Sequence, residues 1–407
     1  MTRIWLFAIL SVACSSAAFA TQSFQFYSAE RGHYYTVTST AVGTALTFPG
    51  HWTYEPSVIT PSSLTGGNYV LLFTANRVAG NGNVNDEAIF MSTSPNGTSN
   101  FSTPQILLRN SGVTNLCDMV DARPIFDGSN WHVYVQAVPF ASGTSGACAA
   151  PNAIYEATGP SLTSLSWTYA NYPYLQPLLT INPSHDNQTG PGIGEGMQWF
   201  NTTNYGGPWY QPYLITYNDW NFNGGGGTMF GGLFGPAGGC CQFGSWWYTD
   251  YSTAYNSTDG AKYPDVMLAG AASWNSIGIP SLTVSEKCIP GQAKYNYMDG
   301  VAFYPNPAPF QTQSISQVGY ILPGPIESVT SDSNGGHGFR PRFARDANGY
   351  IPASGGYPNT WSTYLYYNDS QINVNNSDGG SDCSGSYTNW GSSQQRFSVT
   401  QVTITEN

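Results

Sequence analysis

A short phrase recurs along this chain, in which an acidic residue stands at the head of a short apolar run. Glu55 precedes the run at 69–74, Asp121 precedes the run at 131–135, and Glu195 precedes the run at 213–217. The acids are therefore spaced by 66 and then 74 residues. A period of that length, filled with short strands, predicts a β-propeller, whose inner strands converge on one axis. Carboxylates at the heads of those strands would meet in one place.

The rest of the chain continues this pattern. Apolar and aromatic runs of four to eight residues are bounded by Gly, Pro or Asn, and helical periodicity is nearly absent, which indicates an all-β chain. From Glu195 to His337 is 142 residues, close to two more periods, so we expect five units. The fourth unit is the least defined, and its acidic marker is either Asp265 or Asp299.

The expected strands group into these five units after an entry strand within residues 21–50. They are 55–59, 69–76, 88–92 and 105–108; 124–126, 131–137, 153–157 and 165–169; 196–200, 210–217 and 266–271; 300–304 and 318–322; and 336–340, 364–368 and 397–404. The Gly- and aromatic-rich segment 221–262 is too long for a plain hairpin. Because long loops in compact domains are often functional, we expect this insertion to wall a binding cleft.

The N-terminus has the features of a secretory signal. Arg3 supplies a positive charge, residues 4–12 are apolar, and Ala18-Phe19-Ala20 is a small-x-small cleavage site. The apolar stretch is too short to cross a bilayer. We therefore expect residues 1–20 to be removed near Ala20 and residues 21–407 to form one secreted, extracellular or periplasmic domain.

Composition narrows the set of partners. Only 9% of residues are charged and the net charge is −11, whereas Gly (46 residues) and aromatic residues (15%) are abundant. Without a basic patch, nucleic acid and anionic membrane surfaces are not expected partners. The hydrophobic fraction of 41% suffices for a core. We expect a turn-rich monomer.

Six cysteines remain after removal of the signal, and an even number in an exported protein predicts disulfides. Six cysteines permit 15 pairings, among which the sequence does not choose. Cys117 and Cys148 flank the second acidic phrase and are the pair that we favour. The six residues are Cys117, Cys148, Cys240, Cys241, Cys288 and Cys383.

Four phrases in order along the chain resemble those of the five-bladed β-propeller glycoside hydrolases of the arabinanase and β-xylosidase family, to which the invertases are more distantly related. The phrases are Glu55-Pro56-Ser57-Val58, Asp121 with Phe126-Asp127-Gly128, Glu195-Gly196-Met197, and Gly336-His337-Gly338. The resemblance covers most of the mature chain. It implies an inverting glycosidase that acts on a plant-type polysaccharide or oligosaccharide of the arabinan or xylan class.

The resemblance also implies roles for the three acids. Glu55 would be the general base that activates water, Glu195 would be the general acid, and Asp121 would orient that acid and raise its pKa. An inverting glycosidase needs one ionised and one protonated carboxyl roughly 6.5–9.5 Å apart. A third carboxylate nearby would keep the acid protonated by like-charge repulsion. The blander interpretation is that each acid caps backbone amides at the mouth of the propeller.

Other residues are candidates for substrate contact. The same resemblance implies that His337 lies on the axis near a water molecule or a structural calcium ion. Since calcium prefers oxygen ligands, the metal contact of His337 would run through water. Alternatively, His337 is a turn residue. No cofactor is required. The remaining candidates could stack on sugar faces or bind polar groups, although core packing is the alternative for each tryptophan; they are Trp52, Arg123, Trp199, Trp220 and Arg340.

Two other functions compete with a hydrolase. The family has Asp where this chain has Glu55, and the longer side chain favours a lectin-like propeller that binds carbohydrate without cleaving it. The segment 94–98 resembles an Asp-box turn that lacks its acid, which favours a sialidase-like enzyme more weakly. The number of blades separates the last alternative, since a sialidase has six.

Overall fold

The computed structural model describes the β-strands and several of their connections. The described residues are 21–28, 33–77, 87–109, 116–139, 153–167, 193–201, 213–220, 227–234, 248–250, 261–268, 280–288, 294–302, 316–320, 336–349, 351, 360–371 and 396–407. The predicted signal at 1–20 lies outside them, as do Cys148 and most of the connections after residue 168. Among the described residues, no helix is long and apolar enough to span a bilayer.

The described part of the chain is all-β apart from two short 3-10 turns, Ser63–Thr65 and Leu162–Ser164. The strands are β1 (Thr21–Ser28), β2 (His33–Thr47), β3 (Thr53–Ile59), β4 (Tyr69–Asn76), β5 (Glu87–Ser94), β6 (Gln105–Leu108), β7 (Leu116–Phe126), β8 (Trp131–Pro139), β9 (Ala153–Gly159), β10 (Ser166–Trp167), β11 (Ile193–Asn201), β12 (Tyr213–Trp220), β13 (Gly227–Phe234), β14 (Tyr248–Asp250), β15 (Ala261–Leu268), β16 (Pro280–Cys288), β17 (Lys294–Ala302), β18 (Ser316–Tyr320), β19 (Gly336–Arg345), β20 (Thr360–Gln371) and β21 (Arg396–Glu406).

The strands form antiparallel meanders. Three sheets have four strands each, in the orders β7-β8-β9-β10, β11-β12-β13-β14 and β15-β16-β17-β18. A nine-stranded sheet has the order β1-β2-β21-β20-β19-β3-β4-β5-β6. Its two halves meet at a short parallel pairing in which Ala344 faces Val58 and Arg345 faces Ile59. The N-terminal β2 pairs with the C-terminal β21, so the two ends of the chain close one sheet together.

The first strand of each meander lies against its counterparts. Strand β7 contacts both β3 and β11, β15 contacts both β11 and β19, and β19 pairs with β3. Two backbone hydrogen bonds tighten this arrangement, from Thr60 N to Arg345 O (2.7 Å) and from Phe126 N to Ala347 O (2.8 Å). These contacts bring the first strands of neighbouring meanders close together, so that residues at corresponding positions along them lie near one another.

Strand β4 shows how the sheets pack. Its run Val70–Phe73 is fully buried on both faces. Val70 and Leu72 belong to a cluster with residues of β7, β8 and β9, whereas Leu71 and Phe73 pack with residues of β20 and β21. Because alternate side chains of a strand point to opposite faces, an unbroken apolar run is what a sheet sandwiched between two others requires.

The sequence misplaced strands between residues 221 and 271. The segment 221–262, expected as a long insertion, carries β13, β14 and the first residues of β15. The run at 266–271, expected to close the third unit, overlaps β15, which begins a different sheet. Gly-rich strands such as Gly227–Phe234 carry a weak strand signal, because glycine adds no side chain to pack. The entry segment also forms two paired strands, β1 and β2, instead of one.

A partly buried histidine holds the turn between β7 and β8. His132 Nδ1 lies 2.6 Å from Glu156 Oε1, and its Nε2 lies 2.9 Å from Asp127 Oδ2. Burial acts to lower the pKa of His132, but hydrogen bonds to the two carboxylates outweigh it and raise this pKa above 6.5. Burial acts to raise the pKa of Asp127. Hydrogen bonds from the backbone amides of Asn130 and Ser129 and from the His132 ring outweigh burial and lower this pKa.

We expect this triad to make stability depend on pH. The contribution of His132 is complete below pH 6.5 and is lost as pH rises through its raised folded-state pKa. That of Asp127 is present above pH 3.8 and is lost as pH falls through its lowered folded-state pKa. Urea unfolding at a series of pH values should show stability declining as pH rises from 6.5 through the raised folded-state pKa of His132. His132→Gln should remove that decline, and an unchanged slope would contradict the assignment.

Candidate functional site

Two of the three predicted catalytic acids share an unusual backbone conformation. Glu55 has φ 55° and Asp121 has φ 58°, and the one other described non-glycine residue with positive φ is Asn100 (55°). Asn100 lies in a loop, and asparagine tolerates the left-handed region. Aspartate tolerates this region as asparagine does, whereas for Glu55 the same conformation costs about 1–3 kcal/mol and persists only where the surroundings impose it. The structure thus holds both acids in the same left-handed conformation, which is strained at Glu55.

Both acids lie in breaks of strand pairing. On β3 the pairing with β4 shifts between Tyr54 and Ser57, and on β7 the pairing with β8 shifts between Val120 and Arg123. Such bulges re-aim side chains and are frequent next to active sites. The repeated acidic phrase of the sequence therefore corresponds to a repeated bulge.

Thr74 on β4 joins the two acids. Its hydroxyl accepts a hydrogen bond from Asp121 N (3.1 Å) and donates a long one to Glu55 Oε2 (3.5 Å). Thr74 has no exposed area. One buried hydroxyl thus connects the carboxylate of the first bulge with the backbone of the second.

Arg123 joins the same two bulges by a second route. Its guanidinium forms an ion pair with Asp121. Its Nη1 also donates to Pro56 O and Ala122 O, both at 3.3 Å, and these carbonyls lie within the two bulges. Because Arg123 is 1% exposed and Asp121 is fully buried, little solvent screens this pair. Arg123, predicted to contact substrate, therefore also holds the site together.

The carboxylates are enclosed. Glu55 and Asp121 have no exposed area, and Ser57 and Arg342, which follow bulges on β3 and β19, are also buried. A general base must reach a water molecule. Catalysis at Glu55 would therefore require the site to open to water and substrate.

The structure places the backbone of the other predicted site residues. Glu195 lies in the break between Gly194 and Gln198 of β11, and Arg340 in the break between Phe339 and Arg342 of β19. A further break, between Lys262 and Asp265, occurs on β15. Glu195 thus occupies on its strand the place that Glu55 and Asp121 occupy on theirs. Its side chain lies outside the described residues.

The remaining candidates are distributed along the strands. Trp52 precedes β3, is partly buried, and donates its backbone N–H to Asn76 Oδ1 (2.5 Å). Trp199 pairs with Ile215. His337 pairs with Ser370 near the start of β19, and Trp220 ends β12. The side chains of four candidates lie outside the described residues, so their contacts stay predictions; they are Trp199, Trp220, His337 and Arg340.

The described side chains do not make a cation site. Within the described ranges, no group of three or more His, Cys, Asp or Glu side chains could hold a metal ion. Near the two acids, Asp121 is paired with the Arg123 guanidinium, whose positive charge would repel a cation. The predicted water-mediated calcium contact of His337 involves a side chain outside these ranges and stays a prediction.

Thr74 was not identified from the sequence. It stands in the run Tyr69–Asn76, where a threonine reads as an ordinary strand residue. A polar residue in a run that is otherwise buried on both faces was the one available signal, and it does not name a partner.

We expect Thr74→Val to impair the site, although valine has nearly the same side-chain shape as threonine. Valine leaves the buried Asp121 N–H without its acceptor, which should lower stability by about 1–3 kcal/mol. Loosening of both bulges should lower kcat about tenfold or more, with a smaller change in KM. Thr74→Ser, which keeps the hydroxyl, should restore kcat. Steady-state kinetics and urea unfolding of both variants test this, and equal kcat values for the Val and Ser variants would contradict it.

Comparisons with known proteins give similarity in structure alone. No family model matches the chain, and no curated protein matches its sequence. A thermostable family-43 glycoside hydrolase is 8% identical, over 88% of this chain and 91% of that chain, with a TM-score of 0.48. A family 117 glycoside hydrolase of the marine bacterium Zobellia galactanivorans is 9% identical, over 95% and 91%, with a TM-score of 0.49.

A third solved structure is similar to the same extent. The catalytic domain of the Coprinopsis cinerea GH62 alpha-L-arabinofuranosidase is 10% identical, over 95% of this chain and 97% of that chain, with a TM-score of 0.49. At such identities and TM-scores, these likenesses assign neither a family nor an activity to this chain.

Proposed function

We propose that this protein is a glycoside hydrolase built on a five-bladed β-propeller, in which Glu55, Asp121 and Glu195 act together at the axis. The blades would be the three four-stranded sheets and the two halves of the nine-stranded sheet. A sheet in which an N-terminal strand pairs with the last strand, as β2 pairs with β21, suits a propeller.

One observation carries the proposal: neighbouring strands hold an acid in the same left-handed conformation at the same kind of bulge. Glu55 and Asp121 share a positive φ and a bulge, and Thr74 binds both. Strain that the fold must offset elsewhere is a pointer to function.

The chemistry that suits this arrangement is acid–base hydrolysis of a glycosidic bond. Glu55 would accept a proton from a water molecule that attacks the anomeric carbon. Glu195 would donate a proton to the departing oxygen, so that the glycosidic C–O bond breaks as the new one forms. If water attacks from the face opposite to the leaving group, the product has the inverted configuration.

Arg123 changes the role that suits Asp121. Like-charge repulsion from Asp121 would keep Glu195 protonated, but the guanidinium of Arg123 offsets that charge. Asp121 is better suited to position the acid than to raise its pKa. The buried ion pair would then fix the orientation of Asp121.

We further propose that the substrate is a plant-type polysaccharide or oligosaccharide of the arabinan or xylan class, and that the chain acts as a monomer after export and removal of residues 1–20. The resemblance of the four sequence phrases supports the substrate class. The signal-like N-terminus supports export. The tryptophans and His337 would line the approach to the acids.

Hydrolysis tests the proposal directly. The protein should cleave at least one member of a panel of aryl glycosides, arabinan and arabinoxylan, and NMR of the first-formed product should show the inverted anomer. Glu55→Gln should lower the rate on every substrate of the panel, because attack by water needs the base whatever the leaving group. Binding without turnover by the wild type would favour the lectin-like alternative, and equal rates for Glu55→Gln would exclude Glu55 as the base.

A further inference from the structure

A cavity lies between the far end of β3 and strands β20 and β21. Its volume is about 300 Å³, at the lower end of the range for small-molecule sites. Gln401 is exposed, and Tyr69 and Tyr364 are partly exposed, so the cavity reaches the surface. Seven residues line it: Thr60, Pro61, Tyr69, Ser362, Thr363, Tyr364 and Gln401.

The lining suits a neutral, hydroxyl-rich ligand. None of the seven residues carries a charge, and they combine hydroxyls and one amide with two aromatic rings. The ring centroids of Tyr69 and Tyr364 are 5.8 Å apart and the rings are inclined at 53°, which makes a wedge instead of a closed stack. Aromatic faces pack against sugar C–H groups, and neutral side chains exchange hydrogen bonds with sugar hydroxyls. Burial, and then Tyr364, raise the pKa of the Tyr69 hydroxyl, which therefore stays a donor.

The tyrosines are held by a rigid turn behind them. A Cβ on Gly97 would come within 2.8 Å of the Tyr69 ring and 2.9 Å of the Tyr366 hydroxyl. Tyr366 donates a hydrogen bond to Gly97 O and packs edge-on against Tyr364. Asn96 Oδ1 accepts from the amides of Thr98 and Ser99 and fixes the turn itself. The turn that resembles an Asp box thus supports a preformed cavity.

The polar side of the cavity is also ordered. Gln401 Nε2 donates to Ser362 Oγ (3.4 Å), and Ser362 Oγ lies 3.2 Å from Thr403 Oγ1. Thr363 donates its hydroxyl to Ala344 O at 2.7 Å. Because Ser362 and Thr363 already have hydrogen-bond partners before a ligand arrives, ordering these two side chains adds little entropic cost to binding.

The cavity is separate from the acids. Thr60 follows β3 and is five residues beyond Glu55, which corresponds to at most roughly 17 Å at about 3.3 Å per residue. With no carboxyl group in its lining, the cavity can hold a sugar but cannot hydrolyse it. We propose that the cavity is a second carbohydrate site, which binds one neutral sugar unit of the polymer. The choice of ligand class rests on the proposed function.

Retention in native gels that contain soluble arabinan or arabinoxylan tests this site. The wild type and Tyr364→Ala are compared, both also in the Glu195→Gln background so that the polymer is not degraded. Tyr364→Ala should weaken retention about tenfold, as expected for loss of an aromatic platform. Its kcat/KM on an aryl glycoside should stay unchanged, since such a substrate need not reach the cavity.

The controls separate this proposal from the proposed function. Tyr34, a tyrosine 56% exposed on β2, supplies a matched variant, Tyr34→Ala, which should be retained like the wild type. If circular dichroism shows Tyr364→Ala to be unfolded, Gln401→Ala at the exposed rim decides instead. Full retention of the cavity variant, equal loss with Tyr34→Ala, or no retention of the wild type would overturn the site. Retention that depends on Tyr364 without any hydrolysis would keep the site and reject the hydrolase.

Discussion

Glu195→Gln should lower hydrolysis of a natural polysaccharide about a hundredfold to ten-thousandfold, the usual contribution of a general acid. The reason is positional: Glu195 lies in the pairing break of β11, as Glu55 and Asp121 lie in theirs. Glutamine keeps the size of the side chain but has no acidic proton to transfer to the leaving oxygen. Strand β11 contacts β7, which brings Glu195 towards the pair of buried acids.

The leaving group makes this test specific to the acid. An aryl glycoside whose phenol is acidic departs without protonation, so Glu195→Gln should affect it far less than the polysaccharide. Glu55→Gln should impair both, because the attacking water still needs its base. A matched control is Glu87→Gln, a change at another buried carboxylate that lies at the start of β5. Equal losses on both substrates for Glu195→Gln would contradict its role as the acid.

Arg123→Met should destabilise the protein by roughly 3–5 kcal/mol, the cost of leaving one member of a buried ion pair behind. Asp121 is fully buried and Arg123 is 1% exposed, so water cannot replace the lost partner. The variant also loses the hydrogen bonds to Pro56 O and Ala122 O that connect the two bulges. Urea unfolding followed by circular dichroism measures the change in the free energy of unfolding.

The double variant Asp121→Asn/Arg123→Met separates charge from packing. Removing both charges should recover much of the lost stability, since replacing a whole buried pair with neutral groups is often close to neutral. Arg109→Met, at an exposed arginine after β6, should change stability by at most about 0.5 kcal/mol. A loss below about 1 kcal/mol for Arg123→Met would show that the pair is not important for stability.

Periodicity predicted the early strands well because their signals are local. The first unit was expected at 55–59, 69–76, 88–92 and 105–108, and β3 to β6 lie there with small changes at their ends. Between residues 221 and 271 the same method failed. Glycine contributes no side chain to a hydrophobic pattern, so Gly227–Phe234 did not read as a strand that pairs with β12.

The sequence by itself determined that the chain is all-β, that acids recur at intervals of 66 and 74 residues, and that glycines and short apolar runs alternate around them. The tertiary structure decided what those acids do locally. The positive φ of Glu55 and Asp121, their connection through Thr74 and the Arg123 ion pair arise between strands far apart in the chain. The local hydrophobic pattern of the sequence indicates which face of a strand is apolar. The pairing registers and the contacts between sheets depend instead on the packing of the whole chain.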